Sequence, residues 1–218
     1  GITRLSLTLV LLAIGFIAAA GISFVISPNW GGGAGATADN GHIPNRSGVR
    51  VPNIRPNLII IPKLHARAPI VHVGTQDREL VIPLDPHVVG WWDGGAKPGD
   101  RRGTALLAGH INYGGVAGTL GTIGKLRPGD RMYVTGRHHG QVLELGFRVT
   151  GARTYRKTAL PYKKIFAQHS VGRLAVVTCG GPFDSSTGNY EDNVVVFAVP
   201  TGWRAIHHRT AHHRTAHH

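Results

Sequence analysis

From Leu58 to Pro200 the chain consists of short apolar or alternating runs, each cut off by proline, glycine or aspartate before a helical face can develop. The runs are LIIIPKL, APIVHVG, RELVIPL, TALLAGHI, RMYVTG, QVLELGFRVTGARTY, RLAVVTC and NVVVFAV, with turn signals such as RPGD and GRHHG ahead of several. Period-two alternation suits strands that bury one face, and turns recurring at roughly ten to twenty residues are the pattern of an all-β domain. The prediction is a mainly β fold, a single closed or nearly closed barrel over residues 57–200, with a short helix or long loop at TALPYKKIFAQHS. A chain of 218 residues holds one such core with appendages and hardly two full domains.

The appendages read differently. Leu5 to Ile26 carries no charged residue, and about 33 Å of helix at 1.5 Å per residue crosses a bilayer. Residues 1–26 are therefore predicted to be an uncleaved membrane anchor, the run being longer than the core of a cleaved signal peptide. The Gly-, Pro- and Asn-rich segment 27–56 is predicted to be a linker, and the His/Arg-rich residues 201–218 a disordered tail. Long folded domains translocate largely regardless of charge, which puts the body outside the cytoplasm.

The formal charge is +13 with histidines neutral. The basic residues are scattered among strand-like segments, without interleaved aromatics or a reading motif, so nucleic acid is excluded as a partner and an anionic membrane or envelope surface is favoured. No glycine-rich phosphate loop, glycosidase-like carboxylate pair or cysteine metal cluster is present. The tail histidines lack partners at fixed geometry. No metal and no cofactor is expected.

One cysteine, Cys179, ends the apolar strand RLAVVTC. It cannot form an intramolecular disulfide, which leaves a buried filler, an intermolecular bridge or a reactive thiol. Alternation puts Ala175, Val177 and Cys179 on one strand face and Leu174, Val176 and Thr178 on the other. Gly180 and Gly181 follow, removing side chains where a substrate backbone would approach and permitting unusual dihedrals. A nucleophilic thiol needs a basic neighbour. Among the histidines His110 stands out, because it too ends an apolar strand, TALLAG, and opens into the flexible INYGG. Trp92, in GWWDGG, is a candidate for the substrate groove or for the core.

The segments IPKLHARAPI, LAGHINYGG, LRPGD and VVTCGG resemble the sortases in order and separation, and the resemblance runs from Leu58 to Pro200. TCGGPFDSSTGNYEDNVVVFA is most similar to actinobacterial class F sortases, with class E as neighbour. The resemblance implies an eight-stranded barrel and a membrane-anchored cysteine transpeptidase facing the cell wall. Its substrates would be proteins bearing an LPXTG-like sorting signal, transferred to a cell-wall or pilin amine. Carried over, Cys179 is the nucleophile and His110 the general acid and base, with Thr178, Gly180, Gly181 and Trp92 expected to bind substrate.

One position departs from the family. Its third catalytic residue is an arginine on the strand after the cysteine, and Asn193 stands there in this chain. An amide donates without charge, so Asn193 is a partial substitute at an oxyanion or substrate-positioning site. Arg173 lies roughly 20 Å from Cys179 along the strand, whereas Arg153 and Arg156 flank a loop near the site. This departure motivates an alternative, a catalytically weak sortase-like barrel that binds peptide or wall polymer.

Overall fold

The computed structural model describes residues 49–76 and 79–206. The predicted anchor, most of the linker and residues 207–218 lie outside the described residues. Among the described residues no helix is long and apolar enough to cross a membrane.

The described residues form twelve strands: β1 (Arg55–Ile61), β2 (Ala66–Val73), β3 (Thr75–Gln76), β4 (Glu79–Leu80), β5 (Val89–Trp92), β6 (Thr104–Ala108), β7 (Asn112–Tyr113), β8 (Val116–Ala117), β9 (Arg131–His138), β10 (Gln141–Arg156), β11 (Arg173–Asp184) and β12 (Asn189–Ala205). Eight close a barrel in the order β1-β2-β5-β6-β11-β12-β10-β9. The remaining four make two small hairpins, β3–β4 and β7–β8. A 3-10 turn at Lys157–Ala159 leads into the TALPYKKIFAQHS segment, which holds one helical turn, α1 (Tyr162–Ile165).

The barrel exceeds the predicted span at both ends. Ile54, assigned to the linker, is 1% exposed in the core and its N–H donates to the Pro98 carbonyl, so apolar burial recruits it. Residues 201–205, assigned to the tail, continue β12, pairing Trp203 with Leu145 and Ala205 with Leu143. Polar composition hid them because a strand at a barrel rim needs only backbone pairing to persist.

Two apolar layers explain why some strands alternate and others do not. The interior is filled from one face by Ile59, Leu107, Leu145, Leu174, Val176 and Val196, among others. A second cluster, including Leu106, Ala108, Ala175, Val177 and Val195, lies on the other face of β6, β11 and β12. Ile165 of α1, Leu160 and Phe166 pack over it. β6 and β11 pair in parallel, and strands covered on both faces read as continuous apolar runs, as TALLA and LAVV do.

Candidate active site

β6 and β11 bring the two ends of interest together. Their parallel register runs from Thr104 with Arg173 to Ala108 with Val177. His110 and Cys179 each stand two residues beyond that last pair, so they leave adjacent strands at the same height. Both follow the outward parity of Ala108 and Val177, on the face of the second apolar cluster. Two hydrogen bonds carry the pairing past the ladder: the Gly109 N–H donates to the Val177 carbonyl at 3.1 Å, and Thr178 Oγ1 donates to the Gly109 carbonyl at 2.9 Å. Thr178 thus braces the His110 strand to the Cys179 strand instead of facing a ligand.

Cys179 is 5% exposed and His110 3% exposed. Burial pushes the thiol up to about 11, with the positive charge of Lys157 pulling the other way. Burial lowers His110, opposed by a hydrogen bond to the Pro83 carbonyl. A carbonyl only accepts, so an imidazole N–H is the donor. Nε2 is buried without a partner, which makes Nδ1 that donor and leaves the Nε2 lone pair as the base. The ring stacks on Tyr113, centroids 4.9 Å apart. Both groups therefore rest neutral, the histidine in the tautomer that receives a proton at Nε2.

A cavity of about 350 Å³ opens at this point, lined by His110, Tyr113, Cys179, Phe183, Asn189 and Tyr190 together with the glycines of both hairpin turns. The β7–β8 hairpin and the β11–β12 turn are joined across it by Asn112 Nδ2 donating to Tyr190 Oη at 2.8 Å. Phe183 and Tyr190 meet edge to face at 5.1 Å. Phe183 is 56% exposed, an apolar surface at the mouth.

Asn193 lies directly across β12 from Cys179, and Tyr155 of β10 lies across from Asn193. Cross-strand partners project to the same face, so one row holds the thiol, the amide and the phenol. Asn193 is 2% exposed and its Nδ2 has no partner. Among the described residues, the buried side-chain polar atoms without partners are His110 Nε2, Asn189 Oδ1 and Asn193 Nδ2. All three belong to this site. Buried polar groups are nearly always paired, and each exception calls for a catalytic role or for a partner from outside the protein.

Other residues fall elsewhere. Trp92 packs edge to face on Phe166 at 5.0 Å, against the second apolar cluster, and is absent from the cavity lining. Antiparallel pairing of Trp91 with Leu107 sets Trp92 level with Leu106, four residues short of His110, which is why GWWDGG contributes to the core. Gly181 has φ +74°, and a Cβ there would strike the Asp192 carboxylate; one at Gly180 would strike Val194 at 2.7 Å. The two glycines thus accommodate β12 and are not an opening for substrate. Arg173 sits over the Phe197 ring at 5.9 Å, away from the thiol. Arg153 pairs with Val195 and Arg156 with Asp192, but the cation whose charge acts on the thiol is Lys157. Lys157, Pro83, Tyr113 and Asn189 escaped the sequence reading. A basic residue just beyond a strand end was the available signal for Lys157; the others carried none.

A model of the sortase domain matches residues 59–201, well over half of the chain. None of the curated proteins matches the sequence. Among solved structures, the SrtA sortase from Actinomyces oris superposes with a TM-score of 0.53 at 20% identity, over 72% of this chain and 88% of that one. Listeria monocytogenes sortase A gives 0.51 at 16%, covering 72% and 92%. Sortase E1 from Streptomyces coelicolor, solved with a tripeptide in its active site, gives 0.50 at 22%, covering 71% and 91%. These structures share the fold; the domain match gives the family. With an apolar parallel pair delivering one histidine and one cysteine to a common cavity, the chain belongs to the sortase family of cysteine transpeptidases.

Proposed function

We propose that this chain is a membrane-tethered, extracytoplasmic transpeptidase, most similar to class F, that cleaves an LPXTG-like sorting signal and passes the protein to a cell-wall or pilin amine. The observation that carries this reading is the β6–β11 register, which sets His110 beside Cys179 with Nε2 unpartnered. When peptide fills the cavity, Nε2 takes the thiol proton and the thiolate attacks the scissile carbonyl carbon. Asn193 Nδ2 donates to the oxyanion, and the Lys157 charge assists from the neighbouring segment. The C–N bond then breaks, the His110 imidazolium protonates the leaving amine, and a thioacyl-enzyme remains. An incoming amine attacks the thioester carbon, gives its proton to His110 and expels the Cys179 thiolate. No cofactor enters.

The test is intact-mass spectrometry of the protein incubated with an LPXTG-type peptide, beside Cys179→Ala. An acyl adduct or cleaved peptide that vanishes in the variant is the expected result. A folded protein whose thiol alkylates but which cleaves none of a panel of such peptides overturns it, and favours the peptide-binding barrel suggested by Asn193 and the raised thiol.

A further inference from the structure

The third unpartnered atom lies away from the reacting bond. Asn189 Nδ2 donates to the Thr187 carbonyl at 2.8 Å. Because a carbonyl accepts only, this contact fixes the orientation of the amide and makes Oδ1 the atom left over. Oδ1 is buried without a partner in the protein, in a residue that lines the cavity with His110 and Cys179. A missing donor is called for. Neighbouring Tyr190 receives its hydrogen bond from Asn112 on the facing hairpin, so the segment that presents Asn189 is held to the His110 side of the site.

Spacing along β12 selects the donor. Asn189 and Asn193 are four residues apart on one strand, about 13 Å at 3.3 Å per residue. Asn193 is level with the thiol. The nitrogen that attacks the thioester must come within bonding distance of Cys179, so that nitrogen is not the donor Asn189 calls for. An extended peptide whose scissile carbonyl is at Cys179 spans the same distance in about four residues, and it offers one backbone N–H per non-proline residue along the way.

We infer that Asn189 Oδ1 is a substrate-positioning acceptor, which takes a hydrogen bond from a backbone N–H of the extended peptide several residues from the bond that is cleaved. The inference rests on the transpeptidase reading above. It gives the enzyme a specificity element that reads the peptide's backbone conformation and is indifferent to the side chain at that point. It also requires that proline or an N-alkylated residue be disfavoured at one position of the signal.

The experiment uses the full-length protein, the LPXTG-type peptide and a set of its derivatives N-methylated at one backbone amide each. For the unmodified protein, one methylation raises KM roughly fivefold, the size of one lost hydrogen bond, with kcat nearly kept. Asn189→Asp and Asn189→Leu both lose the brace to Thr187, but only Asp keeps an acceptor. KM for the unmethylated peptide therefore rises in the Leu variant and stays close to the starting value in the Asp variant, and in the Leu variant that same methylation has no further effect. Additive effects of the methylation and the Leu substitution overturn the inference, as does a fall in kcat with KM unchanged. An equal loss in the Asp variant also overturns it, because the brace and not the acceptor would then matter. If the unmodified protein cleaves no peptide while its thiol still alkylates, the transpeptidase reading fails and the inference falls with it; cleavage that is insensitive to every methylation sinks the inference alone.

Discussion

Raising the Cys179 thiol from 9.0 to about 11 divides the thiolate at any lower pH by roughly 100, equivalent to about 2.7 kcal/mol. At pH near 7.5 the free enzyme should hold about 0.03% thiolate. The cause is burial of a 5% exposed side chain, only partly countered by Lys157. Access slows alkylation as well, so the shape of the pH profile and not the absolute rate is the readout. The rate of iodoacetamide labelling, followed by intact mass, should rise about tenfold per pH unit from about pH 6 to 10 without levelling. Lys157→Gln, which removes the one charge holding the thiol down, should slow labelling at every pH in that range. A plateau near 9 or below would refute the reasoning, since it would mean a solvated thiol or a resting thiolate–imidazolium pair. Stability follows the same signs. Cys179 contributes below its unfolded value near 9 and loses that contribution as pH rises toward 11, because the unfolded chain releases the proton first. His110, held below 6.5 in the fold, contributes above 6.5 and loses that contribution as pH falls, because the unfolded chain binds the proton first.

Asn193→Ala should lower kcat by 10² to 10³, roughly the effect of one lost oxyanion donor, with little change in KM. Thr178→Val strands the Gly109 carbonyl that it now satisfies; urea unfolding should register a loss of about 1–3 kcal/mol. Gly181→Ala combines φ +74° with a collision against Asp192 and should destabilise by about 1–3 kcal/mol. Gly188→Ala, at φ +67° but in open space, should cost less than Gly181→Ala in the same denaturation series. Ile54→Ala should destabilise by about 2–5 kcal/mol if the residue is the core member its 1% exposure indicates; no change in melting would return it to the linker.

The barrel was legible because strand pattern and turn chemistry are local: the short apolar run in LIIIPKL, the alternation in QVLELGFRVT, and Gly or Pro at the breaks act over a few residues. The same locality made Cys179 and His110 readable, each at the end of an apolar run, and the family pattern supplied their pairing. Trp92 stayed open between groove and core in the sequence because an aromatic beside glycines has the same signature in both, and only the antiparallel offset of β5 against β6 separated the two. Gly181 uses the backbone freedom expected of it, at φ +74°, whereas Gly180 does not, and what occupies the space above them is Val194 and Asp192, side chains brought in by a different strand.

The sequence by itself determined strand content and a mainly β barrel, and it marked Cys179 and His110 as strand-end candidates for thiol chemistry, since these depend on periodicity and residue type. Tertiary structure alone decided that β6 and β11 run parallel in a register that levels His110 with Cys179. It also decided that Pro83 selects the histidine tautomer, that Lys157 is the cation near the thiol, and that three polar atoms are buried without partners, on His110 and Asn189 in the cavity lining and on Asn193 opposite Cys179. Each of these joins residues far apart in the chain, and their meeting is set by barrel closure, for which no local pattern exists.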